Sequence, residues 1–444
     1  MSEQPSRALP AGTSDFYCSL VDRCVGDLIE TLGRDVLDAV LLIGAPARGE
    51  ATVVSTSAGL YSLSDVDLAC IAGTGTDLRQ LRDRLAAWVT DVNTRVSSEC
   101  TGVDASVKPR RGEGAIRPLI STYEMLRSPV VVWGDQSVVD DLPAVRLEDV
   151  PAWDSLVLFH NRTVEQVLAT PTLVRGGGGA ETPDFEREAY RLLYTAGKYL
   201  LDAVTALLFL HGEVPDTYAD RAVLFRGRFL ASADGEALRR RMEKHVDDVG
   251  MWAEFKASGD VEALRSLSDP EGRGPTGATE RRRPADVMKL ARACHLRYAD
   301  CADALWRAVL GRTLGERTYG LPLSDVAALY SRLESPGKKI GRTLKTLRSP
   351  AGRAGLFPVF RALRLAPFAS PRQLSYLTAV LAYMSLSERA PDAEISALLS
   401  RFCPFRTPCG FASLPLAKKT DVLTGELAVF HASVLRGREI PRKP

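Results

Sequence analysis

The chain lacks any uninterrupted apolar run of the ~20 residues that span a membrane, although 45% of its 444 residues are hydrophobic. Its first residues, MSEQPSRALPAGTSD, lack the apolar core of a signal peptide. Its eight cysteines are widely spaced, which favours reduced thiols over a disulfide framework. These absences predict a cytoplasmic protein with no membrane contact.

Two further motifs lack the residues that would give them a chemical role. The glycine run at 176–179 is not followed by the Lys-Ser/Thr of a phosphate-binding loop, so we expect a flexible linker there. Cys403 and Cys409 are six residues apart with no histidine nearby, and we predict no zinc site at that position.

The most informative stretch begins with a short apolar run at 40–43 that ends at Gly44. Four apolar residues in a row predict a buried strand. Further on, residues 64–71 read SDVDLACI, in which Asp65 and Asp67 alternate with apolar side chains. Residues i and i+2 of a strand share a face. The two carboxylates are therefore predicted to lie side by side.

A third aspartate fits the same arrangement. Residues 101–108 predict another strand that carries Asp104, and a helix-like segment at 77–93 allows this strand to pair with the Asp65–Asp67 strand. Neighbouring carboxylates repel unless a cation lies between them. Hard oxygen ligands beside a glycine loop suit divalent metal ions and the phosphates of a nucleotide.

This order of features resembles the DNA polymerase β-like nucleotidyltransferase superfamily. Its signature is a strand, a Gly-Ser loop, an Asp-x-Asp pair and a later aspartate on a strand. The resemblance covers roughly residues 35–135 and is most specific at RGE (48–50) and SDVDL (64–68). It implies an α+β protein: a nucleotidyltransferase α/β domain with a small mixed sheet, followed by a large all-α region as in the minimal and aminoglycoside-type members.

The resemblance also implies a reaction and its residues. A nucleoside monophosphate would move from an NTP such as ATP to an acceptor hydroxyl, with release of pyrophosphate. Asp65, Asp67 and Asp104 would be the catalytic residues and the ligands of two Mg²⁺ ions, or of Mn²⁺. The residues expected to contact the nucleotide are Gly44, Ala45, Arg48, Gly49, Ser64 and Lys198.

Three departures from the family's pattern leave a second interpretation open. Ala45 stands where the family usually has serine, and Pro46 has no N–H to offer a phosphate. The segment 51–63 is longer than in compact members. The alternative to an enzyme is a catalytically degenerate nucleotide-binding or scaffold protein of the same fold.

From residue 151 the pattern changes to long helices, with apolar stripes at 153–169 and 185–212. We expect domains at 1–150, 151–330 and 331–444, of which the first would carry the chemistry and the second would close over the nucleotide. Lys198 follows Tyr194 by four residues on one helix face. It is predicted either to reach the triphosphate or to remain a solvated lysine.

The C-terminal region 331–444 is basic, with 19 Lys and Arg against 7 Asp and Glu, whereas the remainder has 38 against 48. Its partner could be RNA, a phosphorylated acceptor or the acidic part of the chain itself. Few aromatic residues interrupt the basic ones, so phosphate contact is indicated and base stacking is not. We favour a small-molecule hydroxyl acceptor, and an RNA or protein acceptor stays open.

Overall fold

The structure is a computed structural model that describes residues 9–10, 13–109, 117–175, 182–231, 235–268, 283–388, 391–408 and 410–435. The described part is α+β, with a small mixed sheet near the N-terminus and a helical remainder. This confirms the predicted fold class at that level. The glycine run at 176–179 and most of the polar stretch 266–284 lie outside the described residues.

The N-terminal part alternates strands and helices. Its elements are α1 (Asp15–Leu32), β1 (Leu37–Leu42), β2 (Val53–Thr56), β3 (Gly59–Ser62), β4 (Val66–Ala72), α2 (Leu78–Val96), β5 (Val103–Pro109), α3 (Ile120–Arg127) and β6 (Val130–Gly134). The predicted strands and the helix expected at 77–93 are confirmed. Asp77 caps α2, because its carboxylate accepts from the backbone N–H groups of Arg79 and Gln80.

The main sheet has the strand order β5-β4-β1-β6. β1 is antiparallel to β4 and β6, and β4 is parallel to β5 through the crossover helix α2. One face packs Val40, Leu68 and Cys70 onto α1 and α2, and the other packs Leu41 and Ile71 against residues of α3 and β6. Both faces of β1 and β4 are largely buried, which explains why these two strands are mostly apolar.

The helical part begins after β6. Its helices are α4 (Ala152–Arg175), α5 (Pro183–His211), α6 (Tyr218–Leu224), α7 (Gly235–Met242), α8 (Val246–Ser258), α9 (Arg265–Ser268), α10 (Pro284–Leu314), α11 (Leu323–Tyr330), α12 (Pro336–Arg348), α13 (Pro350–Arg353), α14 (Val359–Leu365), α15 (Pro371–Met384), α16 (Asp392–Phe402) and α17 (Leu416–Phe430). In the described part, one helix, α5, is long and apolar enough to cross a membrane, and 89% of its most apolar window is buried within the protein.

The helices share one apolar core, which also receives side chains from the β2–β3 hairpin. That hairpin is the extra segment 51–63. Val54, Tyr61 and Leu63 reach from it into the helical core, so the insertion ties the sheet part to the helices. The core continues from α4, α5 and α10 into α15 and α17, and the division at residues 150 and 330 stays a prediction.

Candidate active site at the start of β4

Three aspartates come together where β4 begins; we call Asp65, Asp67 and Asp104 the carboxylate site. Asp67 on β4 is the register partner of Asp104 on the parallel strand β5. Asp65 immediately precedes β4 rather than lying on it, and its carbonyl accepts a 2.9 Å hydrogen bond from the Tyr17 hydroxyl. The register of the two strands therefore places Asp67 beside Asp104 as predicted, and Asp65 is close enough for its charge to act on Asp67.

The glycine turn after β1 lies directly beside the carboxylate site. The backbone N–H of Ile43 donates to the Asp67 carbonyl at 3.0 Å. Gly44 has a φ of +77°, and a Cβ at that position would lie 3.3 Å from the Oδ2 atom of Asp67. Gly44 is needed both for its left-handed backbone and for the close approach of the carboxylate.

The carboxylate site is electrostatically unbalanced. Burial, together with the nearby charges of Asp65 and Asp104, raises the pKa of Asp67 to about 7. Lys198 and Lys256 oppose this shift but do not cancel it. Asp104 is exposed, and its Oδ1 accepts from the N–H of Ala105 at 2.9 Å. Burial and the two neighbouring carboxylates thus outweigh the effect of the two lysines on the pKa of Asp67.

Whether these side chains suit Mg²⁺ depends on their chemistry and on their placement. Carboxylate oxygens on adjacent strands are the ligands that Mg²⁺ prefers. Among the residues described, no three His, Cys, Asp or Glu side chains are arranged to hold a metal ion. The Oδ1 atom of Asp104 accepts a hydrogen bond from the N–H of Ala105. The three side chains therefore fit a metal ion by their chemistry but not by their present placement.

The loop after Gly44 closes on itself. Residues Pro46–Arg48 form one 3₁₀ turn. The N–H of Arg48 donates to the Ala45 carbonyl at 3.0 Å, that of Gly49 donates to Pro46 at 3.1 Å, and that of Glu50 donates to Ala45 at 3.1 Å. These three amides are engaged within the turn, so a phosphate would meet the Gly44–Ala45 end of the loop.

Arg48 belongs to a buried group that we call the interface charge cluster: Arg48, Glu50, Glu124 and Arg221. Its guanidinium lies 3.0 Å from Glu124 and 3.6 Å from Glu50. Arg221 of α6 also binds Glu124, at 2.8 Å. Glu50 accepts from the N–H of Tyr218 at the start of α6, at 2.7 Å. The cluster joins the sheet part to the helices, and Arg48 is held inside it.

Ser64 is buried and contacts a lysine that the sequence analysis missed. Its hydroxyl accepts from the N–H of Thr52 at 2.9 Å and from Lys256 Nζ at 3.1 Å. Lys256 also donates to the Tyr194 hydroxyl, and its carbonyl accepts from the Thr52 hydroxyl at 2.7 Å. One signal was present in the sequence: Lys256 follows Trp252 by four residues, which places a lysine on the apolar face of α8.

Lys198 lies on α5, with its ammonium 6.0 Å from the centre of the Tyr194 ring. Arg162 and burial lower the pKa of Lys198, but Tyr194, Asp65 and Glu165 raise it more, so its pKa is raised overall. Lys198 and Lys256 both act on the charge of Asp67. Two lysines from the helical part therefore face the carboxylate site, of which the sequence predicted one.

Comparison of the chain with protein-family models finds no match. The searches of curated proteins and of solved structures also give no significant match. The functional conclusion therefore depends on the residues of the site.

Proposed function

We propose that the protein is a metal-dependent nucleotidyltransferase that moves a nucleoside monophosphate from an NTP to an acceptor hydroxyl. The observation that carries the proposal is the carboxylate of Asp67, which lies against Gly44 and whose pKa is raised to about 7 by burial and by the charges of Asp65 and Asp104. A carboxylate with such a raised pKa tends to bind either a proton or a cation. A turn beside it and two lysines opposite it suit the phosphates of a nucleotide.

Each residue has a part in the proposed reaction. The acceptor oxygen forms a bond to the α-phosphorus, the bond to the β-phosphate oxygen breaks, and pyrophosphate leaves. Asp104, the exposed carboxylate, accepts the proton of the hydroxyl. Lys198 offsets negative charge on the phosphates, and Gly44 lets them approach the backbone.

Asp65, Asp67 and Asp104 would hold the Mg²⁺ or Mn²⁺ ions. Bound there, such ions neutralise phosphate charge and orient the reacting oxygens. Ser64 is proposed to position Lys256, which donates to its hydroxyl, and its predicted contact with the nucleotide stays a prediction. Arg48, bound to Glu124, contributes by fixing the loop that follows Gly44.

The acceptor is proposed to be a small molecule with a hydroxyl group, and an RNA or protein acceptor is the alternative. The helical part faces the site through α5 and α8, which carry Lys198 and Lys256. These helices would form the wall against which an acceptor lies.

A second function is favoured by the loop after Gly44. Three of its amides are bonded within the turn, Pro46 offers none, and Arg48 is held by Glu124. A loop with so few donors left for phosphate suits a protein that binds a nucleotide without turnover. This alternative predicts nucleotide binding and no release of pyrophosphate.

The deciding experiment incubates the purified full-length chain with each α-labelled NTP, Mg²⁺ and a cell extract. An enzyme transfers label to an acceptor and releases pyrophosphate, and both depend on Mg²⁺. Label transfer that persists in Asp67→Asn would contradict the proposed site. The matched control is Asp83→Asn, which removes an exposed carboxylate from α2 and should leave the reaction unchanged.

A further inference from the structure

The basic C-terminal region concentrates its charge in one segment. Between Glu334 and Glu388 the chain has nine Lys and Arg and no acidic residue. This segment contains α12, α13, α14 and α15. A stretch with cations alone attracts a polyanion more strongly than a mixed surface of the same size.

The same segment exposes an unusual amount of apolar surface. Of the nine large hydrophobic side chains that are exposed in the described part, five lie on α12 and α14. Phe360 is 81% exposed, and the others are Ile340, Leu344, Val359 and Leu363. The two helices pack against each other, so these side chains come from neighbouring helices. Clustered apolar side chains of this kind mark an interaction surface.

Cations share this surface with the apolar side chains. Lys338, Lys345, Arg348 and Arg364 are exposed on the same two helices. None of the four forms an ion pair with another described residue. We call these four cations and the five apolar side chains the basic apolar patch.

Other basic residues of the segment serve the fold. Lys339 is buried and donates to the Pro367 carbonyl at 3.3 Å. Arg342 is paired with the carboxylate of Glu334. The cations of the patch are therefore distinct from those that hold the helices in place.

The composition of the patch selects among possible partners. RNA would pair with the cations but leave four aliphatic side chains without a partner, and Phe360 alone cannot stack a series of bases. A surface with anionic groups above an apolar layer satisfies both kinds of side chain. Phospholipid headgroups and acyl chains have this order, and helices with Lys or Arg beside Phe and Leu bind at that boundary.

We propose that the basic apolar patch binds the surface of an anionic phospholipid membrane. The cations contact the headgroups while Phe360 and its apolar neighbours enter the outer part of the acyl region. The contact is peripheral, and the buried helix α5 has no part in it. The predicted absence of membrane contact was based on the absence of a spanning segment. Peripheral binding to a membrane surface needs no such segment.

The test is co-sedimentation of the full-length chain with two kinds of vesicle, phosphatidylcholine alone and phosphatidylcholine mixed with phosphatidylserine. We expect binding to the mixed vesicles, weakened by salt, and little binding to the neutral ones. Lys338→Glu and Lys345→Glu should each reduce binding at least about fivefold. Phe360→Ser should reduce vesicle binding about tenfold, because the variant has no aromatic ring to move from water into the acyl region.

Matched controls separate the patch from general surface effects. Val223→Ser removes an apolar side chain that is 72% exposed elsewhere on the protein, and Lys244→Glu reverses an exposed charge outside the patch. Both should bind vesicles like the parent chain. Equal binding to both vesicle types, no vesicle binding, or binding of single-stranded RNA in its place would each overturn the proposal.

Discussion

The protein holds two groups of charged side chains where its sheet meets its helices, and the two are built differently. In the interface charge cluster every ion has a partner of opposite charge, as with Glu124 between Arg48 and Arg221. In the carboxylate site three aspartates meet with no cation paired to Asp67 by a salt bridge within the described residues. One group balances its own charge, and the other does not.

This difference separates a structural role from a functional one. A balanced buried cluster joins two parts of the chain, and removing one member leaves the others uncompensated. An unbalanced cluster lowers the free energy of unfolding at neutral pH. It stabilises the fold only when a cation or a proton binds. Substitutions in the two groups should therefore change stability in opposite directions.

The largest effect is expected in the interface charge cluster. Glu124→Ala leaves the guanidinium groups of Arg48 and Arg221 without their shared carboxylate. The free energy of unfolding should fall by about 3–5 kcal/mol, measured by urea denaturation. Glu188→Ala is the control, because it removes a half-buried carboxylate whose ion pair with Arg191 is long, at 3.6 Å. This variant should cost less than about 1 kcal/mol. Equal losses in both variants would contradict a special role for the cluster.

The next-largest effect is expected at Asp67, where a substitution should raise the free energy of unfolding. The pKa of Asp67 in the folded chain is raised to about 7. The stability that this group contributes is therefore fully present below its unfolded pKa of ~3.9 and is lost as pH rises to about 7. Asp67→Asn should abolish this pH-dependent loss of stability. Without added metal, the variant should be more stable than the parent at pH 8, by up to about 4 kcal/mol, and similar at pH 4.

Urea denaturation at several pH values measures this difference. Asp83→Asn, at an exposed position, should follow the pH dependence of the parent chain. A destabilised Asp67→Asn protein at pH 8 would mean that Asp67 is paired like the members of the interface charge cluster.

The sequence predicted one of these groups and not the other, for physical reasons. Asp65, Asp67 and Asp104 could be placed together because strand periodicity and a crossover helix are local properties. Glu124 and Arg221 are 97 residues apart, and no local pattern indicates that they meet. Arg48 was accordingly predicted to face a nucleotide, whereas the structure places it against Glu124.

The helical part shows the same limit. The bounds expected for the helix at 185–212 differ from those of α5 by one or two residues, since apolar periodicity and caps are encoded locally. The contact between Ser64 and Lys256 spans 192 residues. It depends on how α8 packs against the β2–β3 hairpin, which the sequence pattern does not specify.

A third prediction concerns activity. If the carboxylate site is catalytic, Asp67→Asn should lower Mg²⁺-dependent release of pyrophosphate by at least about 100-fold, the order of loss for removing one electrostatic stabiliser. If urea denaturation shows that the variant is at least as stable as the parent chain under the assay conditions, unfolding does not explain the loss. Full activity in a folded Asp67→Asn protein would exclude the carboxylate site from the reaction.

The smallest effect is expected in the loop beside Gly44. Ala45 has helical backbone angles, φ −60° and ψ −40°, which serine adopts without strain. Ala45→Ser adds a hydroxyl at the end of the turn where a phosphate would lie, and one hydrogen bond should tighten NTP binding by up to about fivefold. In Ala45→Cys the new side chain has nearly the same shape as serine but is a much weaker hydrogen-bond donor. This variant should therefore bind the NTP like the parent chain. Calorimetric titration with a non-hydrolysable NTP measures both variants. Weaker binding by the serine variant alone, in a protein of unchanged stability, would show that phosphates do not approach this turn.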